Sequence, residues 1–303
     1  IHIKSPATIA NLVCGFDILG MAVEEPFDLM TLEIVDKPGL EIVHVDAYEL
    51  TTEPSENVAG AALLALLEDV KDAPGLKLTI DKKIKPGSGL GSSAASAAGA
   101  VMAASKLLPY QFHQEDLIRY AMFGEKVASG VKHADNITPC FVGGVSLIKS
   151  IHPLDIIKLN SPALHISIVH PQIEVKTSDA RQILKKEVQL KQAIKQWGNI
   201  AGLVAGFMKE DYDLIGRSLE DVIIEPVRSI LIPGFDEVKR LSREAGALGG
   251  GISGSGPSIF MISKDFETAS RVAIAMQEVY NKIGIDYKTY VTKLNKEGIT
   301  IIE

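Results

Sequence analysis

Hydrophobic and polar positions along the chain follow two periods, one typical of strands and one of helices. Leu76 to Ile80 alternates apolar and polar residues, which predicts a half-buried strand. Ala94 to Leu108 is rich in Ala and is a predicted helix, and Gln114 to Ser129 has apolar residues at helical spacing. A glycine-rich loop joins the strand to the first of these helices, so this region is a predicted strand, loop and helix in succession.

Earlier in the chain the pattern predicts short strands. Ile1 to Lys4 is a predicted strand that Pro6 interrupts. Phe27 to Val35 and Leu40 to Val45 alternate on either side of a Pro-Gly turn, which predicts a β-hairpin.

In the second half of the chain, Leu164 to His170 is a predicted strand, and Val188 to Met208 and Phe266 to Ile283 are predicted helices. The character of the sequence changes between these elements and the first half. We therefore predict two domains, residues 1–160 and residues 161–303.

Composition and charge argue against several classes of function. The net charge of −7 argues against non-specific binding to nucleic acid or to an anionic membrane. The longest apolar run, Val58 to Leu67, is too short to span a bilayer. Cys14 and Cys140 are the two cysteines, which indicates no disulfide framework. We expect a soluble, cytoplasmic protein with a small-molecule ligand.

The loop from Lys85 to Ala95 carries the clearest chemical signal. It places Gly87, Gly89 and Gly91 between a strand and a helix N-terminus, whose free N–H groups and positive dipole suit a phosphate. The sequence fits neither a Walker A loop nor a dinucleotide-binding fingerprint. A nucleotide phosphate site is the favoured interpretation, and a tight turn between strand and helix is the alternative.

Several polar residues have both a functional and a structural interpretation. Asn11 and Asp17 could orient an amine or hydroxyl, or could serve a turn. Asn57 could simply cap the helix that follows it. Glu125 could face a metal or phosphate, or be solvated.

Each basic candidate, taken alone, also has both a functional and a structural interpretation. Arg181 stands near a predicted helix start, where a cation is unfavourable, so a role beyond helix support is plausible. Arg228 is either a surface charge or one arm of a carboxylate clamp. His133, taken alone, is weak evidence for a functional site.

Three clusters in chain order resemble the GHMP kinase superfamily. They are Pro6 to Asp17, Pro86 to Ala95 and Gly251 to Pro257. The middle motif of the superfamily, P-x-x-x-G-L-G-S-S-A, is matched from Gly89 to Ala94, and Pro86 precedes it with one residue fewer between Pro and Gly. Within the superfamily the chain is similar to the homoserine kinases, on these segments: Asn11 to Asp17, Asn57 to Gly60, Lys132 to Asn136, and Ile224 to Arg228. It departs from the first motif at Ile9 and Val13, where Ser and Gly are often found.

The resemblance implies an α+β fold of two domains, the first like domain 2 of ribosomal protein S5 and the second ferredoxin-like. It implies an ATP-dependent kinase that phosphorylates the side-chain hydroxyl of L-homoserine in threonine biosynthesis, with Mg²⁺, as a homodimer. Residues implied at the nucleotide are Asn57, Lys85, Pro86, Gly87, Ser88, Gly89, Leu90, Gly91, Ser92, Ser93, Ala94 and Ala95.

The resemblance also implies the remaining roles. Residues implied at homoserine are Asn11 and Asp17 for its amine, Arg181 and Arg228 for its carboxylate, and Asn136 for its hydroxyl, with His133 nearby. Ser93 and Glu125 are implied Mg²⁺ ligands, and both are counted with Asn136 and His133 as catalytic. No residue is an evident general base, so we predict catalysis by alignment of the reacting groups.

Two alternatives to a homoserine kinase remain. One is another GHMP kinase, acting on a sugar or an isoprenoid alcohol. The other is a catalytically inactive ligand sensor of the same fold, which loss of Glu125 or of the loop serines would favour; both are present.

Overall fold

The structure is a computed structural model, and it describes residues 1–130 and 133–302. Val131, Lys132 and Glu303 lie outside the described residues, so Lys132 of the Lys132 to Asn136 motif is not placed. The described chain forms two β-sheets with helices against them. No described helix has the length and apolar character that crossing a membrane requires.

The first sheet has seven strands in the order β11-β1-β2-β4-β3, with β5 paired to β2 and β6 paired to β5. Its strands are β1 (His2–Ala10), β2 (Leu19–Val35), β3 (Leu40–His44), β4 (Gly75–Asp81), β5 (Val145–Ile151), β6 (Leu154–Leu159) and β11 (Thr300–Ile302). Pro6 does not end the first strand as expected. The strand instead has an irregularity in its pairing between Pro6 and Ala7, and it continues to Ala10.

The predicted hairpin between β2 and β3 is wrong. Both strands exist, but β4 lies between them, antiparallel to β2 and parallel to β3. Helix α1 (Val58–Leu67) provides the crossover that a parallel pair requires. The turn signal at Lys37 to Gly39 reverses the chain without pairing its flanking strands.

Helices cover one face of this sheet. They are α1, α2 (Ser92–Leu107), α3 (Gln114–Ser129) and α4 (Ile137–Val142). Alanines of α2 are almost fully buried, which lets the helix pack closely against the strands and against α1 and α3. The predicted helices at α1, α2 and α3 are confirmed, with ends that differ by a few residues.

The second sheet has four antiparallel strands in the order β10-β7-β9-β8. Its strands are β7 (His165–Pro171), β8 (Gly249–Ile252), β9 (Ile259–Ser263) and β10 (Tyr287–Lys293). The helices of this part are α5 (Thr177–Gln182), α6 (Leu190–Lys209), α7 (Tyr212–Ser218), α8 (Glu225–Arg228), α9 (Phe235–Glu244) and α10 (Phe266–Ile283). This strand order confirms the predicted ferredoxin-like arrangement.

A hydrophobic core is shared by the two sheets. It joins Ile9 and Met21 of the first sheet to Ile166 and Phe260 of the second, with Phe207 of α6 packed alongside. The chain passes between the sheets after β6, near the boundary predicted at residue 160, and that division stays a prediction. Because β11 pairs with β1, the end of the described chain belongs to the first sheet.

Candidate active site

A cleft of about 370 Å³ lies where the glycine loop meets the loops of the second sheet. Its lining includes these predicted residues: Asn11, Asp17, Asn57, Pro86, Gly87, Gly89, Gly91, Ser92, Ser93, Glu125, His133, Asn136, Arg181 and Arg228. Residues predicted from motifs far apart in sequence therefore share one cavity.

The glycine loop has the conformation that an anion site needs. Gly87, Gly89 and Gly91 have φ of 71°, 80° and 65°, a region that glycine adopts without strain. Gly91 is the N-cap of α2, and within the described part of the chain no side chain caps this helix. The first N–H groups of α2 therefore face the cleft, where the helix dipole favours an anion.

A second glycine loop supports the first through backbone contact. Ser253 Oγ donates a hydrogen bond to Gly89 O at 2.6 Å, and Ser258 N donates to Ser88 O at 3.2 Å. A Cβ at Gly89 would lie 2.6 Å from Gly256 O and from Ser253 O. The two glycine loops thus approach each other closely through their backbones.

Ser93 and Glu125 meet at the start of α2. Glu125 on α3 is almost fully buried, and burial raises the pKa of its carboxyl group, although a hydrogen bond from Ser93 opposes that rise. Ser93 lies two residues after Gly91, directly beside the loop. The hydroxyl and carboxylate are hard oxygen donors beside an anion site, which fits a shared Mg²⁺ ion.

Asp17 is the centre of a charged cluster on the other side of the cleft. Its Oδ2 lies 2.6 Å from Arg181 Nη2, and its Oδ1 lies 3.8 Å from His133 Nδ1. Asn11 orients this residue, since Asn11 Oδ1 accepts the backbone N–H of Asp17 at 3.0 Å. Burial, followed by the charges of Arg181 and Arg228, lowers the pKa of His133, while Asp17 opposes that change.

The segment that carries these residues has an unusual backbone. Asn11, Leu12, Val13 and Asp17 all have positive φ, which is costly for residues other than glycine. Val13, a position where the sequence departs from the motif, has φ of 67°, so the left-handed turn is kept. Asn11 Nδ2 donates to Gly254 O at 2.9 Å and fixes the segment to the second glycine loop.

Arg228 and Arg181 flank the ring of Phe16. Their guanidinium carbons lie 5.0 Å and 5.6 Å from the ring centroid. Arg228 is held further by hydrogen bonds from Nε to Ala180 O at 3.0 Å and from Nη1 to Gly254 O at 3.1 Å. Two guanidinium groups are thereby brought together at one end of the cleft, where they can receive a carboxylate.

Asn136 lies beside the glycine loop, within 3.0 Å of the position that a Cβ at Gly91 would take. Its Oδ1 accepts a hydrogen bond from Thr8 Oγ1 at 2.8 Å, which directs the amide N–H₂ group away from Thr8. A Cβ at Gly91 would lie 1.9 Å from Thr8 Oγ1, so only glycine leaves room for this contact. Asn136 thus lies beside the glycine loop, in the cleft that Asp17 also lines.

Asp135 is a cleft residue that the sequence analysis missed. It is almost fully buried, and burial, then the charges of Asp17 and Glu125, raise the pKa of its carboxyl group to about 7. Its neighbour in sequence, Asn136, was singled out, but nothing in the sequence shows that a loop aspartate is buried among other carboxylates. Perturbed acids of this kind are frequent at active sites.

The side chain of Asn57 caps helix α1. Its Oδ1 accepts from the N–H groups of Ala59 and Gly60, so the expected helix cap is confirmed. Its Nδ2 donates to Thr51 O at 2.7 Å and lies 3.1 Å from His44 Nε2. His44 also lines the cleft, although no motif or pattern in the sequence distinguishes it.

Some residues predicted at the nucleotide do not line the cleft. Lys85 Nζ donates to Gln172 Oε1 at 2.7 Å, across to the second sheet. Ser88 Oγ is buried and accepts from Leu90 N at 3.3 Å. Leu90, Ala94 and Ala95 are buried in the hydrophobic cores. The side chains of these residues pack within the protein, so any contact with a nucleotide would come from their main-chain atoms, and their assignment to the nucleotide stays a prediction.

Family models and known proteins identify the family of this chain. Residues 57–144 match the model of the GHMP kinases N-terminal domain, and residues 203–282 match that of the GHMP kinases C-terminal domain. The chain therefore belongs to the GHMP kinase family, and the predicted two-domain GHMP kinase fold is confirmed. The similarity within this family is to homoserine kinases, as the sequence motifs predict.

The similarity extends over nearly the whole chain. A homoserine kinase of Chloroherpeton thalassium is 43% identical, with 98% of each chain covered. One of Chlorobium phaeobacteroides (strain BS1) is 42% identical, with 98% of this chain and 97% of the relative covered. The crystal structure of homoserine kinase from Cytophaga hutchinsonii has a TM-score of 0.96 at 46% identity, covering 100% of this chain and 97% of that one.

Proposed function

We propose that the protein transfers the γ-phosphoryl group of ATP to the side-chain hydroxyl of L-homoserine, in the cytoplasm. The product, O-phospho-L-homoserine, would serve threonine biosynthesis. One observation carries this proposal: the glycine loop with the start of α2, and Asp17 with two arginines, line one and the same cleft. A free amino acid with a terminal hydroxyl carries the two charges that this cluster can bind and a hydroxyl that can receive a phosphoryl group.

The acceptor end matches a zwitterion. The carboxylate of Asp17 offers an acceptor to an ammonium group, and the guanidinium groups of Arg181 and Arg228 offer paired donors to a carboxylate. Neither a neutral sugar nor the alcohol mevalonate carries both charges. The charge pattern therefore favours homoserine over the substrates of other GHMP kinases.

Ser93 and Glu125 would hold Mg²⁺ together with the phosphates of ATP. Mg²⁺ prefers few protein ligands and shares the rest with phosphate oxygens and water. When bound, the ion neutralises charge on the phosphates. The residues of the protein supply position: the amides of the glycine loop and of α2 receive the phosphates, and Asn136 orients the hydroxyl that attacks.

Catalysis by alignment requires no protein base, since the hydroxyl proton passes to a phosphoryl oxygen or to water. Asp135 offers the test of this idea, because it is the carboxyl group beside Asn136. If Asp135→Asn lowers kcat by less than about tenfold, alignment suffices. A loss of about a thousandfold, with loss of the acidic limb of the pH profile, would identify Asp135 as a base.

Steady-state kinetics coupled to ADP release test the activity. L-homoserine is compared with galactose and mevalonate at matched concentrations. We expect turnover with homoserine alone. Turnover with another acceptor would assign the protein to a different GHMP kinase activity, whereas homoserine binding without turnover would indicate a ligand sensor.

We also propose that the protein is a homodimer that pairs along α6. Exposed apolar residues near the start of this helix are spaced by four and three, the pattern of a coiled-coil seam, and another lies eleven residues further on. They are Leu190, Ile194, Trp197 and Met208, all more than half exposed. An antiparallel pair would set the exposed Lys185, Lys186 and Lys191 near Glu210 and Asp213 of a second copy.

Sedimentation analysis of Trp197→Glu tests this surface. A charge in the centre of the seam should convert a dimer into a monomer. Ile230→Glu is the matched control, since Ile230 is 77% exposed and lies outside α6. A Trp197→Glu protein that keeps the wild-type mass would remove α6 as the interface.

A further inference from the structure

A buried ion pair lies directly beneath the start of α2. Lys82 Nζ is 2.7 Å from Asp28 Oδ2, and the two side chains are 3% and 0% exposed. The ammonium group also donates to Ser92 O at 3.1 Å and to Ser96 Oγ at 2.8 Å. An ammonium group has three N–H donors, so these three bonds use all of them.

The carboxylate of the pair is equally committed. Asp28 Oδ1 accepts the backbone N–H groups of Lys83 at 2.8 Å and of Ile84 at 2.9 Å. Ser92 Oγ then donates to Ile84 O at 2.8 Å. The chain on both sides of the glycine loop, the end of β4 and the first turn of α2, is therefore tied to one pair of charges.

Lys82 also lines the cleft, so a direct phosphate contact is the obvious alternative. Two observations oppose it. Its donors are all engaged within the protein, and its charge is balanced by a fully buried carboxylate. Separating a buried pair leaves an uncompensated charge, which is strongly unfavourable.

We propose that Lys82 and Asp28 are positioning residues that together form a loop anchor. The anchor holds the glycine loop and the N-terminus of α2 in the geometry that receives the phosphates, without touching them. The inference rests on the proposed nucleotide site and names two residues that set its affinity. It also explains why a lysine can lie beneath an anion site and still leave phosphate binding to backbone amides.

Titration with ADP in a calorimeter, without homoserine, tests the anchor directly. Asp28→Asn removes the negative charge and frees Lys82. If Lys82 is a phosphate ligand restrained by Asp28, this variant binds ADP more tightly. The anchor predicts affinity weaker by about tenfold to a hundredfold, the range for loss of a hydrogen bond to a charged group. Lys83→Met is the matched control, because the Lys83 side chain is exposed and pairs with Asp81.

A double variant separates positioning from stability. Lys82→Met with Asp28→Leu replaces the ion pair by apolar side chains, a change that is often neutral for stability. We expect the unfolding temperature to stay near that of the wild type while ADP affinity remains low. If the unfolding temperature and the ADP affinity both returned to the wild-type values, the pair would have a purely structural role and the proposal would be overturned.

Ser96→Ala keeps the anchor testable if the double variant does not fold. It deletes one bond to Lys82 and leaves the ion pair intact, so ADP affinity should fall severalfold with little change in unfolding temperature. Unchanged ADP affinity in both Ser96→Ala and Asp28→Asn would overturn the anchor alone. Failure of the wild-type protein to bind ADP would instead overturn the proposed function.

Discussion

Arg181 Nη2 lies 2.6 Å from Asp17 Oδ2, so two residues with opposite predicted tasks at one substrate are paired with each other. Both side chains are about one-third exposed, and water weakens such a pair. A zwitterion can exchange this contact for two of its own, with its ammonium on Asp17 and its carboxylate on Arg181. The protein thus keeps its acceptor charges balanced and can exchange them for a substrate at low cost.

Asp17→Asn should raise KM for homoserine by about tenfold to a hundredfold, because the substrate ammonium loses a charged partner. The control is a substrate: 4-hydroxybutanoate has the carboxylate and the hydroxyl but no amine, and its KM should be insensitive to the variant. Steady-state kinetics with both acceptors measure the difference. Equal losses for the two acceptors would count against an amine at Asp17.

Arg228→Ala should raise KM for homoserine by about a hundredfold and change KM for ATP by less than about twofold, since a bidentate carboxylate partner is lost. Arg240→Ala is the control, because Arg240 pairs with Glu237 and Glu244 at the surface. Initial rates with each substrate varied separately provide the measurement. A matching rise in KM for both substrates would remove Arg228 from the acceptor end.

Glu125→Gln should lower kcat by about a hundredfold and raise the Mg²⁺ concentration that gives half-maximal rate, because a buried charged ligand is lost. Glu115→Gln on the same helix is exposed and should change neither quantity. Rates measured over a range of Mg²⁺ concentrations give both quantities for each variant. An unaltered Mg²⁺ requirement would exclude Glu125 as a ligand.

Asp135→Asn should stabilise the protein, and more so at about pH 8 than at about pH 5. The pKa of Asp135 is raised to about 7 by burial and by Asp17 and Glu125, so folding costs more as pH rises from the ordinary value of 3.8 to about 7. The gain should be on the order of 1–3 kcal/mol above that interval.

Unfolding temperatures of the wild type and of Asp135→Asn across pH report this gain. Asp213→Asn removes a similar charge from an 84% exposed side chain and should show no such trend. A stabilisation that does not change with pH would mean that the Asp135 carboxyl is not strained by its surroundings.

Gly89→Ala should abolish most nucleotide binding and destabilise the fold by about 2–4 kcal/mol, since φ is 80° and the new Cβ meets two carbonyl oxygens. Gly284→Ala provides a matched strain control, with φ of 71° and open space around it. Calorimetric unfolding and ADP titration report the two effects. Similar losses in both variants would show that strain alone matters at Gly89.

The predictable parts of the site are those with local causes. Residues near one another in sequence determine the glycine loop, the helix that follows it and the cap at Asn57. A local pattern therefore predicts these features. The charged residues at the acceptor end became interpretable only through motifs spread over the chain. Their mutual contacts, above all Asp17 with Arg181, depend on tertiary structure that no local pattern encodes.

The parts that the sequence did not predict depend on distant neighbours. Strand propensity does not choose a partner, so β2 and β3 looked like a hairpin although β4 separates them. Lys82 stands among four lysines between 77 and 85, and only burial against Asp28 distinguishes it. The raised pKa of Asp135 likewise results from burial, which is a property of the folded chain.

The contact between the two glycine loops, 164 residues apart at Ser253 and Gly89, has a consequence for how the enzyme can change. The proposed phosphate contacts on one side of the cleft come mainly from main-chain N–H groups, whose chemistry is the same for every residue type except proline. The acceptor side is built from side chains such as Asp17 and Arg228, which substitution can exchange one at a time. Engineering of acceptor choice can therefore proceed at those side chains while the nucleotide half of the cleft is left intact.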